Sequence, residues 1–296
     1  MRIGAGLGVG LLLFGAADPA VAVPVTLQDG SAVVSIDPDS QDGVSGWAVN
    51  GITHLRTQWV WLRVGDTGPE TSIDTLAETA RLLSDGNGDG QDDTLVLALA
   101  DPQQRFTLEL RWTLTGSPFG PPSAGATSDL AFQIAFTNTS GAPLDFTLFQ
   151  YTDVDLFNTF ADDSAGWSGP GAGAMATATD STGLATWESS WTPDPGDVEA
   201  TLYDGALQRL NDDEPTTGLL PVHSASGDVT VTAVWRAFFL DGSKGTIEFG
   251  QQQQLRIAPV PEPALLALLA GGLAALASRR RDEVRSRLFH TPKDDR

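Results

Sequence analysis

Asp85, Asn87 and Asp89 stand at alternate positions in the stretch SDGNGDGQDDTL, residues 84–95, and Gly90 follows them directly. Oxygen-bearing side chains at alternate positions let a short loop wrap a hard cation. A glycine at the sixth position permits the sharp turn that the wrap needs. In this register Gln91 offers its backbone carbonyl at position 7 and Asp93 its carboxylate at position 9. Position 12 of an EF-hand carries a bidentate glutamate; here it is Val96, and a strand rather than a helix is expected to follow. The spacing predicts a looser Asp-x-Asn-x-Asp-Gly loop that binds Ca2+ through Asp85, Asn87, Asp89, Gln91 and Asp93, with a last ligand from Asp92 or from elsewhere in the fold. The alternative is a turn without metal, since Asp and Gly favour turns for backbone reasons alone.

Two further patterns could do chemistry. In TQWVWLRV, residues 57–64, Trp59 and Trp61 fall on one strand face and Val60, Leu62 and Val64 on the other. A tryptophan pair on an exposed face would make a platform for sugar rings; on a strand buried on both sides it would be core. Trp167, Trp187 and Trp191, in or near loops, are secondary candidates for sugar contact. Asp153 and Asp155 share a strand face, ~6.6 Å apart at ~3.3 Å per residue, and Asp162–Asp163 and Asp212–Asp213–Glu214 crowd into loops. Glycoside hydrolysis uses two carboxylates at such separations. In so acidic a chain chance pairs are certain, and solvated surface or further calcium ligation explains them as well. His54 and His223 have no nucleophile signature near them, and no Gly-x-Ser-x-Gly, His-Glu-x-x-His or phosphate-binding glycine loop occurs.

The elements that must position these residues read as β. Leu130, Phe132, Ile134 and Phe136 alternate with polar neighbours, as do Phe106, Leu108, Leu110, Trp112 and Leu114, and as do Val229, Val231, Ala233, Trp235, Ala237 and Phe239. Period-two alternation marks half-buried antiparallel strands. Further strands are expected at 24–36, 44–50, 52–64, 94–100, 144–153, 173–179, 183–188, 197–203 and 245–257. About a dozen strands joined by Gly/Pro/Asp/Ser loops predict an all-β, antiparallel β-sandwich or jelly-roll-like single domain. One short helix is expected over SIDTLAETARLLS, residues 72–84, capped by Ser72, with Ile73, Leu76, Ala80 and Leu83 on one face. Long irregular loops are expected at 116–128, 157–172 and 204–228.

The 296-residue chain carries a formal charge of −21, and residues 23–260 hold 9 basic and 32 acidic residues. So acidic a body repels nucleic acid and anionic lipid and suits divalent cations. The absence of cysteine excludes disulfides, thiolate metal sites and cysteine nucleophiles.

Both ends read as addresses. Arg2, an apolar run from Ile3 to Ala17, and the small-x-small site Ala20–Val21–Ala22 predict a signal peptide over residues 1–22, handled by the Sec machinery. A retained N-terminal anchor is the alternative. At the other end Pro261–Glu262–Pro263 precedes 14 apolar or glycine residues, 264–277, and then Arg279, Arg280 and Arg281. As a helix that run spans ~21 Å against a ~30 Å hydrocarbon core, enough for a transient transmembrane helix. The arginines hold its end in the cytoplasm. A permanent C-terminal anchor is the alternative.

The order Pro-Glu-Pro, short apolar helix, arginine cluster resembles the PEP-CTERM sorting signal of exopolysaccharide-producing Gram-negative bacteria. The resemblance implies a sorting signal over 259–281, recognised by an exosortase that cuts near Pro-Glu-Pro, and a cytoplasmic tail over 282–296. That tail is longer than the family's usual few residues. Three body segments, at 46–65, 128–156 and 210–217, resemble a set of exported PEP-CTERM proteins without assigned activity, which implies one domain over 23–258. Together these readings predict an exported cell-surface or extracellular-matrix protein, not an enzyme, with a structural or adhesive role and bound Ca2+. A carbohydrate-binding module that grips polysaccharide through Trp59 and Trp61 is the second reading and a glycoside-active enzyme the third.

Overall fold

The computed structural model describes residues 24–121, 124–171, 174–203, 205–240, 242 and 245–259. The expected signal peptide with Ala20 and Ala22, the segment from Val260 onward with Pro261, Glu262, Pro263, Arg279, Arg280 and Arg281, and the tail 282–296 lie outside the described residues. Among the described residues no helix is long and apolar enough to cross a membrane.

The body is an antiparallel β-sandwich. Sheet one runs β1 (Val25–Asp29), β2 (Ala32–Asp37), β3 (Gly43–Val49), β4 (Ile52–Val64), β10 (Leu144–Val154), β16 (Val229–Leu240) and β14 (Asp197–Leu202), with the two-residue β5 (Thr71–Ser72) on β4. Sheet two runs β15 (Ser224–Gly227), β11 (Asp163–Trp167), β12 (Ala176–Asp180), β13 (Ala185–Thr192), β17 (Thr246–Ile257), β9 (Ala126–Asn138), β8 (Phe106–Gly116), β7 (Thr94–Ala100) and β6 (Ala77–Ser84).

Alternation in the sequence sets the core. On β8, Leu108, Leu110, Trp112 and Leu114 lie opposite Phe136, Ile134, Phe132 and Leu130 of β9, and all are buried. Phe146 of β10 stacks on Phe136 with ring centroids 4.0 Å apart and joins the two sheets. Each such side chain removed from water contributes ~1.5–3 kcal/mol.

The expected helix over 72–84 does not form. Ile73–Thr75 make a single 3-10 turn, and Ala77–Ser84 is strand β6, paired with β7 from Ala77↔Ala100 to Ser84↔Thr94. The edge of β7 offers a row of open N–H and C=O groups, whereas a short helix must first meet a costly nucleus. The expected apolar face is split: Ile73 and Leu76 are buried, while Ala80 and Leu83 on the strand are exposed. The Glu78–Arg81 ion pair, 2.5 Å, puts charge along this outermost strand, which blunts edge-to-edge association. The expected strand over 24–36 is instead the hairpin β1–β2, turning at Gly30 with φ 50°. The expected loops 157–172 and 204–228 hold β11, β15 and a six-residue helix, α1 (Gly205–Leu210).

A polar layer crosses the core. Gln251 and Gln253 of β17 point inward. Gln251 Oε1 accepts from Gln150 Nε2 at 2.6 Å and also from Gln58 Nε2, and its own amide donates to Ser189 Oγ at 2.8 Å. Gln253 donates to Gln58 Oε1 at 3.0 Å. Trp191 and Trp187 donate their indole N–H groups to Gln150 and Gln253 at 2.9 and 3.1 Å. This network ties β4 and β10 of one sheet to β13 and β17 of the other.

Candidate functional site

The loop 85–93 joins the hairpin strands β6 and β7. Asp85 Oδ1 accepts from the Gly88 N–H at 2.6 Å and Oδ2 from the Gly90 N–H at 2.8 Å. Asn87 Oδ1 accepts from the Asp89 N–H at 2.9 Å, and Asp89 Oδ1 from the Gln91 N–H at 2.8 Å. Three successive side chains thus fold the chain back on itself. Gly88 and Gly90, at φ 81° and 90°, supply the left-handed backbone that the winding requires. The Gly90 and Gly88 N–H groups hold the Asp85 carboxyl below its ordinary range, so it is ionised at neutral pH.

Asp93 sits apart from this tip. It is buried, and its Oδ1 accepts from the Gly86 N–H and the Thr94 hydroxyl at 2.9 and 2.8 Å. It braces the foot of the loop. Gln91 is half-buried, and its Oε1 is sealed from solvent without a hydrogen-bond partner. Asn87 donates to Asp29 Oδ1 at 3.1 Å, and the Gln28 N–H donates to the Asp92 carbonyl at 2.8 Å. These bonds moor the loop to β1 of the other sheet. Among the described residues, no group of three or more His, Asp or Glu side chains is arranged so that it could hold a metal ion. A cation here would draw on Asn87 and backbone carbonyls besides the carboxylates of Asp85 and Asp89.

Trp59 and Trp61 form no surface platform. Their exposures are 1% and 0%. Trp59 stacks on Trp112 of β8 at 6.4 Å, and Trp61 meets Tyr151 edge-on at 6.3 Å and donates to Asn211 Oδ1 at 3.1 Å. The expectation that they grip sugar is corrected: the loop after α1 reaches this strand at Asn211 and Thr216, and Trp59, Val60, Trp61 and Leu62 are all buried, so both of its faces are inside. Trp187 and Trp191 are buried as well, and Trp167 is half-buried against His223.

Asp153 lies near the end of β10 and Asp155 just after it, where the chain crosses from sheet one to sheet two. They are 1% and 4% exposed, and Asp163, at the start of β11, is 1% exposed. Each has one carboxylate oxygen sealed from solvent and without a hydrogen-bond partner. Burial pushes Asp153 up to about 7, aided by Asp228 and Asp155 and opposed by Arg56. Burial likewise pushes Asp163 up to about 7, against the pull of the Leu156 N–H. Asp155 and Asp228 are raised too, first by burial. His54, close by on β4, is pushed down to about 4 by burial. The sequence pairs Asp153 with Asp155 but carries no signal that Asp163 and Asp228 join them, because that meeting depends on the sheet crossing.

A third feature is a concave strip on the outer face of sheet two. A cavity of about 440 Å³ there is lined by Glu109, Arg111, Gln133, Thr192, Glu248 and Gln252, among others. Gly250 lies between Gln133 and Thr192 in the cross-strand register and leaves this strip open.

Comparison with known proteins places the outer segment. Residues 259–281 match the PEP-CTERM protein-sorting motif. No curated protein has a matching sequence. Among solved structures, the chain is similar to a bacterial glucoamylase complexed with acarbose, at TM-score 0.55 and 10% identity, over 86% of this chain and 36% of that one. It thus spans little more than a third of the glucoamylase. It is also similar to the Slr1438 protein from Synechocystis sp. PCC 6803, at TM-score 0.50 and 10% identity, over 83% of this chain and all of that one. At such identity the likeness shows the fold alone. The motif marks the chain as a PEP-CTERM exosortase substrate, an exported protein sorted to the cell surface.

Proposed function

We propose that this PEP-CTERM protein is a non-enzymatic structural or adhesive module of the cell surface or extracellular matrix, and that Ca2+ bound by the loop 85–93 fastens its sheet edge. The observation that carries the calcium reading is the winding of Asp85, Asn87 and Asp89 around glycines at positive φ. Each ionised carboxylate has about four acceptor sites, so an oxygen that already accepts an N–H can still face a cation. A Ca2+ bound only to the folded chain adds RT ln(1 + [L]/Kd), ~2.7 kcal/mol at a hundredfold excess over Kd. The mooring of the loop to Asp29 and Gln28 would pass that gain to the contact between the sheets.

The test is thermal unfolding of the purified full chain with calcium and with chelator. Calcium should raise Tm, and the rise should vanish in the double variant Asp85→Ala, Asp89→Ala. An equal Tm in both buffers returns the loop to a turn that holds itself by its own hydrogen bonds.

One observation favours polysaccharide as a partner on a different surface from the tryptophans. The strip on sheet two mixes amide, hydroxyl, carboxylate and guanidinium groups along an open trough, the set that hydrogen-bonds sugar hydroxyls. Binding of neutral polysaccharide that is lost in Gly250→Arg, at unchanged Tm, would establish this reading; unchanged binding would remove it.

A further inference from the structure

The crossing from β10 to β11 gathers acids that make no ion pair within 4 Å among the described residues. Asp153 lies between Thr57 of β4 and Thr230 of β16 in the strand register. Asp163 lies between Asp180 of β12 and Gly227 of β15. Asp155 follows β10, Asp162 precedes β11, and Asp228 joins β15 to β16. His54 and Arg56 face this cluster from β4. Arg56 is exposed and makes no ion pair within 4 Å among the described residues. The Asp180 carboxylate is already occupied by the Ala185 and Thr182 N–H groups and the Thr182 hydroxyl. Asp153, Asp155 and Asp163 therefore each keep a buried oxygen with no partner. An ionised carboxylate in that position is expensive, and a proton removes the expense.

The same segment holds strained backbone. Phe157 and Asn158 are consecutive non-glycine residues at φ 58° and 59°, a left-handed conformation that side chains with a Cβ adopt only under constraint. Two acceptors hold them there. Asp163 Oδ2 accepts from the Leu156 N–H at 3.0 Å, and His54 Nδ1 accepts from the Phe157 N–H at 3.2 Å. The Phe157 ring packs on His54 at 5.2 Å. Burial keeps His54 neutral down to about pH 4, so its lone pair stays available above that.

We propose that the turn 155–158 is a proton-gated latch between the two sheets, closed while the carboxyls of Asp153 and Asp163 are protonated and opened when they ionise. Ionisation sets unpaired negative charge beside Asp155 and Asp228, with Arg56 alone opposing it, and opening the strained turn admits water to that charge. The sign follows from linkage. Both acids rise from 3.8 to about 7 in the closed state. Their hold on the latch is complete below about pH 4 and is lost as pH climbs through about 7. In that window the closed-to-open ratio falls about tenfold per pH unit for each carboxyl that opening releases.

The test is amide hydrogen exchange of the purified full chain from pH 5 to pH 8, each point with chelator and with calcium. Protection at residues 155–158, corrected for the intrinsic pH dependence of exchange, should drop about tenfold per pH unit per released carboxyl up to about pH 7. The core of β9 should not follow. Asp153→Asn and Asp163→Asn, neutral at every pH, should flatten the profile and leave the turn more protected than wild type at pH 8. A flat wild-type profile overturns the latch without any variant having to fold. So does protection that calcium restores at constant pH and that Asp153→Asn abolishes, because the carboxylates would then be cation ligands.

Discussion

Replacing Gln251 by leucine should be among the most damaging conservative changes in the body. The side chains are similar in length, so the perturbation is chemical rather than steric. Gln251 Oε1 is the shared acceptor for the amides of Gln58 and Gln150, and its Nε2 is a donor to Ser189. Leucine leaves two amide N–H groups without that acceptor in a region where Gln58, Gln150 and Ser189 are 2%, 3% and 1% exposed. Each unsatisfied buried donor costs ~1–3 kcal/mol. The gain from burying leucine in place of an amide returns ~1 kcal/mol, and the net loss is about 1–5 kcal/mol. For a body of this size ~1 kcal/mol moves Tm by ~2–4 °C, so calorimetry should show a fall of roughly 2–20 °C. Gln252→Leu, one residue on and facing solvent, is the control and should stay within ~0.5 kcal/mol of wild type. If the two variants unfold together, the glutamine layer is filler and the reasoning fails.

Trp59→Ala should cost ~3–5 kcal/mol in chemical denaturation, as a large side chain lost from a packed core does, while any binding of polysaccharide by the folded fraction persists. Deletion of residues 259–281 should abolish accumulation at the cell surface, read by cell fractionation, and leave the thermal unfolding of the body unchanged; unchanged surface accumulation would refute the sorting role.

Much of the sandwich is legible one strand at a time. β4 and β7 fall on the expected bounds, and β8, β9 and β16 within a few residues, because alternation of apolar and polar residues reports directly which face is buried. The failures share a cause. Residues 72–84 carry helical spacing and become an edge strand, because β7 supplies hydrogen-bond partners that no local pattern can show. The short strands β11 and β15 hide in loop-like sequence, SAGW and SASG; β11 pairs with β12 on one side, and β15 finds its partner in β11 only across about sixty residues. The tryptophans of β4 alternate correctly, but alternation does not say whether a face is covered.

The candidate sites divide the same way. The sequence by itself determines the Asp-x-Asn-x-Asp-Gly winding of residues 85–90 and the sorting motif at 259–281, because each depends on residues a few positions apart. Only the tertiary structure decides that Asp93 braces the loop rather than joining its tip, and that Trp59 and Trp61 are core. It alone brings Asp153, Asp155, Asp163 and Asp228 to one sheet crossing and joins Gln58, Gln150, Gln251 and Gln253 in one layer. The physical reason is that burial and unpaired charge are properties of what surrounds a side chain. In a β-sandwich those surroundings come from strands a hundred or more residues away, as Gln58 and Gln251 are, and their chain positions carry no mark of the meeting.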